Sequence, residues 1–435
     1  MIENKTCSVC ESSNWKSLDY MRDKAYWIER NKLDFEEEVN FKICTECGYV
    51  TYDYMDEDFL AASYDRDRPV MQASNLITGA RKNGYHRKFL EDIDFADKKI
   101  VDCGCATGDF LMWLEKERKC KKENLYGTEY NQHLGYFVEQ EYGYNISKTL
   151  DESIKYDFIS YYHVLEHIQR PEEQLKKCHD WLKDDGLLYL SIPFWFEELD
   201  EQSGILCDNF ENYYHLNHIV VFSRQSFYNM LKKTGWEIIK EDDIMYGITV
   251  LCKKTEPSDD IAKEDFQKIE KIIRAQKKAI QLVSEKKYDE SLKTYPAYPD
   301  CYIMKTLTSE NMKEFDIQME ILAEAEKQCP KNQKIQEHKA KILFQWDERD
   351  PKRRDFYGNN VKTSKKLILN SLELKPGNEA LFYFLGLIYA RYEKEYDKGI
   401  EKLKEILEIN PAKWQEIWTM IGSLYKEKYE WEKKA

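Results

Sequence analysis

Long apolar runs are missing from this chain. No stretch approaches the ~20 consecutive apolar residues that a bilayer-spanning helix needs, so a membrane span is not expected. The first ten residues, MIENKTCSVC, are polar and carry two cysteines, which argues against a secretory leader and for a cytoplasmic chain. Glycine is scarce, 17 in 435 residues, and none falls between positions 248 and 357; a glycine-punctuated β architecture is excluded there. Basic charge is also short. The net charge is −14, and it is unevenly placed: residues 1–250 carry −17 and residues 251–435 carry +3. The first half would repel a polyanion unless a local basic patch intervened, so a nucleic-acid substrate is not expected. Histidine numbers only 8, and half of these, His163, His167, His215 and His218, fall around the expected C-terminal rim of a sheet.

What the chain does have is enough apolar material, 42%, and enough aromatic residues, 14%, to build packed cores. Its length suggests two or three domains rather than one core. Three pieces are legible. Residues 1–69 hold two Cys-x-x-Cys pairs and an acidic, tyrosine-rich connector. Residues 70–254 open on a helical pattern to about 95, then alternate short β-rich runs with amphipathic segments. The strand candidates are KIVDCG, NLYGTEY, YDFISYYHV, GLLYLSIPF, WEIIKED and ITVLCKK. Strands separated by helical stretches predict a mostly parallel α/β sheet with crossover helices, and the last two runs predict an antiparallel edge hairpin. Residues 258–435, after the linker-like EPSDD, are rich in Lys, Glu, Leu and Ile at helical spacing.

This last piece repeats. Phe382, Leu385, Gly386, Tyr389, Gly399, Leu403, Ile406 and Pro411 fall near the offsets of a tetratricopeptide repeat, and Trp418, Ile421, Gly422 and Tyr425 begin another unit. Prolines at 299, 330, 376 and 411 close successive units. Small residues would let paired helices approach, and aromatics would fill the groove between pairs. An irregular helical bundle is the alternative, and it weighs more for residues 258–345.

Twelve cysteines in a large chain without a leader favour a reducing compartment, where paired cysteines usually mean metal. Cys7-Ser-Val-Cys10 and Cys44-Thr-Glu-Cys47 form two matching knuckles, the second followed by Gly48. Four thiolates and no histidine make a closed, structural coordination sphere, suited to zinc, with iron the lesser alternative.

The run Lys99–Asp102 leads into Cys103-Gly104-Cys105-Ala106-Thr107-Gly108-Asp109 and then FLMWLEKE. A strand, a small-residue turn and a helix are what a nucleoside cofactor requires. Glu129, 21 residues beyond Gly108, ends the next strand, where a carboxylate can accept both ribose hydroxyls. HVLEHI and LKDDGLLYLSIPF then supply a polar, His-bearing turn and a helix, turn and fifth strand.

With these segments, residues 70–254 resemble the class I S-adenosylmethionine-dependent methyltransferases, which have a Rossmann-like, mostly parallel seven-stranded sheet. DCGCATGDF is similar to their glycine-rich motif, HVLEHI to their post-strand-four motif and LKDDGLLYLSIP to their fifth-strand motif. The resemblance implies that Asp102, Gly104, Cys105 and Gly108 line the methionine side of S-adenosylmethionine, that Glu129 binds its ribose, that Asp151 serves its adenine, and that His163 approaches the sulfonium. Ala106 departs from the family's frequent glycine and fits if its φ is negative. A dehydrogenase reading lacks counterparts for HVLEHI and DDGLLYLS.

The cysteine pairs ahead of this domain also resemble the bacterial sugar C-methyltransferases and their relatives. Those carry a segment like E-H-x-x-Y-F-S after the fifth strand. Here NYYHLNHIVVFS places Tyr214, His215, Asn217 and His218 nearby, with His218 four residues before Phe222-Ser223 and Asn217 where the family has an acid. Their nucleotide-binding C-terminal domain has no match here; helical repeats follow instead. The resemblance implies His218, His215 and His163 as candidate catalytic residues, histidine being able to take a proton near neutrality. Glu166 is expected to cap a turn. The leading expectation is methylation of a small molecule, a sugar or glycan intermediate, with repeats that recruit a protein partner or self-associate. A protein or peptide methyltransferase whose repeats hold the substrate, and a non-catalytic cofactor-binding scaffold, are the alternatives.

Overall fold

The computed structural model describes residues 2–3, 5–18, 41–52, 54–55, 84–193, 218–244, 247–308, 312, 314–330, 332–349, 354–374, 378–409 and 413–434. These fall into two compact units. One comprises Met1–Asp67, Asp94–Lys305 and Glu324–Asn332; the other comprises Arg68–Ile93, Thr306–Ala323 and Gln333–Ala435.

The first unit begins with β1 (Ile2–Glu3), β2 (Trp15–Ser17), β3 (Phe41–Cys44), β4 (Val50–Tyr52) and β5 (Tyr54–Met55). β1 and β5 pair antiparallel. β2, β3 and β4 form a meander whose fourth strand comes from far along the chain, β11 (Val220–Val221), giving the order β11-β4-β3-β2. Phe41, Ile43, Val50 and Tyr52 are almost wholly buried, so this small sheet carries its own apolar core.

A short helix, α1 (Gly84–Phe89), belongs to the second unit. The main sheet of the first unit then starts at β6 (Ile100–Cys103) and continues with α2 (Asp109–Lys116), β7 (Leu125–Thr128), α3 (Gln132–Tyr142), β8 (Asn145–Ser147), β9 (Tyr156–Tyr162), α4 (Pro171–Trp181), β10 (Leu182–Pro193), α5 (Arg224–Lys233), β12 (Trp236–Ile244) and β13 (Gly247–Lys254). Its order is β12-β13-β10-β9-β6-β7-β8. All neighbours are parallel except those of β13, which slots antiparallel between β10 and β12. This is the expected seven-stranded, mostly parallel sheet with a terminal hairpin. Its central strands read as continuous apolar runs because helices cover both faces: Ile100, Val101, Phe158, Ile159, Leu188, Leu190 and Val250 are all buried.

One local expectation gives way. LKDDGLLYLSIP does not divide into helix, turn and strand; α4 ends at Trp181, and β10 is extended from Leu182 onward. Its pairing with β9 slips between Leu182 and Leu187, so Lys183, Asp184 and Asp185 bulge into solvent. The polar triplet lengthens the strand instead of interrupting it.

The first compact unit continues past β13 through Lys305. α6 (Phe266–Ser284), α7 (Tyr288–Thr294) and α8 (Pro299–Thr306) follow β13. α6 buries Ile269 and Ile273. Lys16 of β2 pairs with Glu270 at 2.6 Å, and Ser223 Oγ donates to Glu264 at 2.6 Å. Asn229 closes a two-way clasp on Ala262, donating to its carbonyl and accepting from its N–H. At Gly48, φ is +75°, and an added Cβ would lie 2.5 Å from Ile269 Cδ1. The cysteine module thus rests on α6.

The second unit adds α9 (Phe315–Gln328), whose first turns belong to it, then α10 (Gln333–Arg349), α11 (Arg354–Leu374), α12 (Glu379–Leu387), a π-helical segment Ile388–Tyr392, α13 (Tyr396–Ile409) and α14 (Trp414–Glu432). Leu381, Leu385, Ile388, Tyr389, Leu403, Ile406, Ile417 and Ile421 share one core. α12 and α13 cross almost backbone to backbone: a Cβ at Gly399 would stand 2.5 Å from the Gly386 carbonyl oxygen. Among the described residues, no helix is long and apolar enough to cross a membrane.

Ile269→Ala should lower stability by about 2–4 kcal/mol, read as a fall in the denaturant midpoint at unchanged slope. A change under about 0.5 kcal/mol would mean that α6 does not support the cysteine module.

Candidate functional site

The glycine-rich turn lies where β6 meets β9, the point at which the sheet's connections reverse direction. Ligands of open parallel sheets bind beyond the carboxyl ends of the strands at such a point. Gly104 (φ +71°) and Gly108 (φ +75°) flank the turn. A Cβ on Gly104 would meet Val164 Cγ2 at 2.5 Å, and one on Gly108 would meet Val138 Cγ1 at 2.9 Å, so neither position has room for a side chain. The turn is held from β7: Cys105 N–H donates to the Thr128 carbonyl at 2.9 Å. Cys105 itself is buried, and burial raises its thiol well above the ordinary range.

Ala106 does not have the negative φ that an alanine would prefer; its φ is +46°. The strain is held in place by a hydrogen bond, Ala106 N–H to Glu129 Oε2 at 2.9 Å. The other oxygen of Glu129 accepts from Asn131 N–H at 2.8 Å. Glu129 is therefore fixed at the end of β7 before any ligand arrives, and burial raises its carboxyl against the opposing pull of those N–H groups. His163 is a second strained residue, with φ +53°, at the end of the adjacent strand β9. Its N–H donates to the Ser191 carbonyl at 2.8 Å. Strained residues at neighbouring strand ends mark a site the fold over-determines.

The electrostatics are acidic. Asp102 is buried and accepts a hydrogen bond from the Ser160 hydroxyl. Burial pushes its carboxyl up to about 7, opposed by that hydrogen bond, with Asp109 and Glu129 adding to the rise. Asp109, first residue of α2, is pushed up to about 6, again by burial. A pocket of carboxyl groups in a low dielectric favours a cationic ligand. Asp151, in contrast, is exposed in the loop after β8, its Oδ1 taking hydrogen bonds from the Ser153 N–H and hydroxyl.

On the β9 side of the cradle, a 3-10 turn, Leu165–His167, carries Glu166, and β11 brings His218 to it. Ile219 N–H donates to the Glu166 carbonyl at 2.9 Å, while the Ile219 carbonyl accepts from Tyr52 N–H and Thr51 Oγ1. The rings of His167 and His218 meet edge to face, 4.9 Å between centroids. Glu166 was expected only to cap a turn; instead it is fully buried, and among the described residues neither carboxylate oxygen has a hydrogen-bond partner. No local signal in the sequence distinguishes it from an exposed capping residue. His215 and its neighbours Tyr214 and Asn217 lie outside the described residues.

The four cysteines come together as their spacing implied. Cys7 and Cys47 sulfurs are 3.5 Å apart, Cys10 and Cys44 sulfurs 3.4 Å, and all four lie within 4.8 Å of one another. Ligands 2.3 Å from a tetrahedral ion stand about 3.8 Å apart, so the cluster fits one. Hydrogen bonding to Cys10 first, then to Cys44, with burial behind it, pushes the Cys7 and Cys47 thiols up; four thiolates need a cation between them.

Residues 79–241 match a family model described as a methyltransferase domain. No curated protein matches the chain. Among solved structures, a chain from the complex between the Haloferax volcanii Trm112 methyltransferase activator and a methyltransferase is similar at 12% identity and TM-score 0.35, over 47% of this chain and 100% of that one. An S-adenosylmethionine-dependent methyltransferase from Clostridium acetobutylicum is similar at 15% identity and TM-score 0.32, over 46% of this chain and 99% of its own. One from Archaeoglobus fulgidus gives 17% identity and TM-score 0.33, over 46% and 100%.

Asp102 generates a pH test. Its folded carboxyl titrates above the unfolded one, so the folded state holds a proton that the unfolded state has released. Stability therefore falls as pH rises from about 4 to about 7 and levels off beyond. Asp102→Asn, without ligand, should remove that fall and leave the variant more stable at pH 8 by on the order of a few kcal/mol, with the gap closing at pH 4. Denaturant curves at pH 4, 6 and 8 decide it, and a variant less stable than the parent at pH 8 would refute the assignment.

Proposed function

We propose that this methyltransferase, residues 79–241 of which match the methyltransferase-domain model, uses S-adenosylmethionine to methylate a small molecule, a sugar or glycan intermediate. The carrying observation is the cradle at the end of β6: two left-handed glycines, a buried Asp102 and a Glu129 carboxylate pinned by Ala106 and Asn131. S-adenosylmethionine, when bound, supplies an electrophilic methyl group. Its sulfonium and ammonium charges suit the carboxyl groups of Asp102, Asp109 and Glu129. Gly104, Cys105 and Gly108 admit the methionine end, Glu129 takes the ribose hydroxyls, and Asp151 remains the candidate for the adenine side.

The acceptor's proton goes to an imidazole at the rim, with His163, His215 and His218 as the candidates. His163 stands beside the cradle, one residue before Val164, which packs over Gly104. The sugar reading rests on the resemblance of the cysteine pairs and the H-x-x-x-F-S segment to sugar C-methyltransferases. The pairing of β11 with the cysteine module supports it, because that pairing fixes the segment carrying His218 beside the rim. We assign Cys7, Cys10, Cys44 and Cys47 to a structural zinc ion. α12 to α14 we read as tetratricopeptide-like units that recruit a protein partner or a second copy, and we keep the three-part division into 1–69, 70–254 and 258–435 as a functional description.

Protein purified without added metal should contain about one tightly held zinc per chain at this cluster, and stripping it should unfold the N-terminal sheet. Elemental analysis finding neither zinc nor iron would end that assignment. Glu129→Ala should lose two charge-assisted hydrogen bonds to the ribose, each worth roughly 1.5–3 kcal/mol. Calorimetric titration with S-adenosylhomocysteine checks this, and an undiminished affinity in a folded variant would place the ribose elsewhere.

A further inference from the structure

Glu166 is a buried carboxylate that has no hydrogen bond among the described residues. Burial of a charged group is costly unless it is paired, hydrogen-bonded or bound to metal. Three imidazole nitrogens face its Oε1: His163 Nδ1 at 3.5 Å, His167 Nε2 at 3.8 Å and His218 Nε2 at 4.0 Å. These separations are long for hydrogen bonds and close to those of ligands around a shared ion. Ligand atoms of Glu166, His167 and His218 all lie within 4.8 Å of one another. Imidazole and carboxylate ligands 2.0–2.2 Å from zinc stand about 3.4 Å apart in a tetrahedron, so an inward shift of about half an ångström closes the set.

The cluster is built, not incidental. Glu166 and His167 are set by the 3-10 turn after β9. His218 is brought in by a strand paired to β4, and the Ile219 N–H bond to the Glu166 carbonyl locks the two segments in register. Glu166 lies at the bottom, while the side chains of His167 and His218 keep 23% and 15% of their exposure. An ion there would be reached from one side.

We propose that Glu166, His167 and His218 bind a divalent transition-metal ion of the zinc class, separate from the four-cysteine site. Two imidazoles and one carboxylate leave a position for an oxygen donor, the composition of a reactive rather than a structural centre. Water or an acceptor hydroxyl would occupy that position, and the ion would lower the donor's pKa. The hydroxyl role rests on the small-molecule reading above; the binding of the ion does not. His218 is then a ligand, and His163, outside the mutually close set, is left as the proton acceptor.

The test is cobalt titration of the full-length chain after removal of bound metal. Cobalt in the cysteine cluster gives intense thiolate charge-transfer bands; cobalt at Glu166, His167 and His218 gives only weak ligand-field bands. The expected result is two equivalents bound, the second adding ligand-field absorption and no charge transfer. Glu166→Gln should bind a single equivalent while keeping the charge-transfer bands, which also report that the cysteine module is folded. The same variant should lose the further rise in melting temperature that zinc gives the parent beyond the first equivalent. If Glu166→Gln fails to fold, His167→Gln serves in its place. One equivalent in the parent, or two in both variants, overturns the proposal. Binding of S-adenosylhomocysteine, measured on the same samples, reports separately on the methyl-transfer reading.

Discussion

Three consecutive residues, Ile219 to Val221, tie the first unit together. Val220 and Val221 pair with Thr51 and Val50 of the cysteine module, and the Ile219 carbonyl accepts from Tyr52 and Thr51. On the other side, Ile219 N–H bonds to Glu166 in the turn after β9. All three residues are buried. Buried backbone groups must be paired, so losing one neighbour would leave donors or acceptors orphaned in an apolar setting. The cysteine module is for this reason an integral wall of the site. A metal bound by the Cys7 and Cys44 knuckles, as proposed, would also order the edge on which His218 sits.

The cradle shows a second constraint, the cost of holding polar and strained groups ready. Ala106 and His163 keep positive φ at the ends of adjacent strands, and Asp102 is buried and accepts a hydrogen bond from Ser160. A free protein optimised for stability would relax these features. Their shared position at the carboxyl ends of β6 and β9 suits the ligand proposed above, whose cationic groups would lie near Asp102 and Asp109 and whose hydroxyl groups would reach Glu129. Glu166 follows the same logic at the end of β9, with imidazoles gathered around a carboxylate that has no hydrogen bond among the described residues.

The helices after β13 divide between two roles. α6 packs on the cysteine module and completes the first unit, through Ile269 and Ile273 and the pair between Lys16 and Glu270. In the second unit, Gly386 and Gly399 let α12 and α13 cross in near backbone contact, and the turn after α12 relaxes into a π-helical segment. A glycine-free stretch is helical in both units, but composition does not say which core each helix joins. That depends on which apolar face finds a partner.

The sequence by itself determined six of the seven strands of the main sheet, because their apolar runs, glycine turns and intervening amphipathic segments are local signals; β8, only three residues long and half polar, carries no such signal. It also determined the cysteine cluster, since two knuckles of matching spacing can close on one ion wherever the intervening chain goes. The cradle residues were legible for the same reason: Gly104, Gly108 and Glu129 hold fixed positions relative to strand ends. Only the tertiary structure decided that LKDD extends β10, that Ala106 carries a positive φ, that α6 belongs with the N-terminal sheet, and that a two-residue strand joins residues 50 and 221. It alone buried Glu166 among His163, His167 and His218. Each of these depends on contacts between segments distant along the chain, and a residue's local pattern carries no record of which distant surface will cover it.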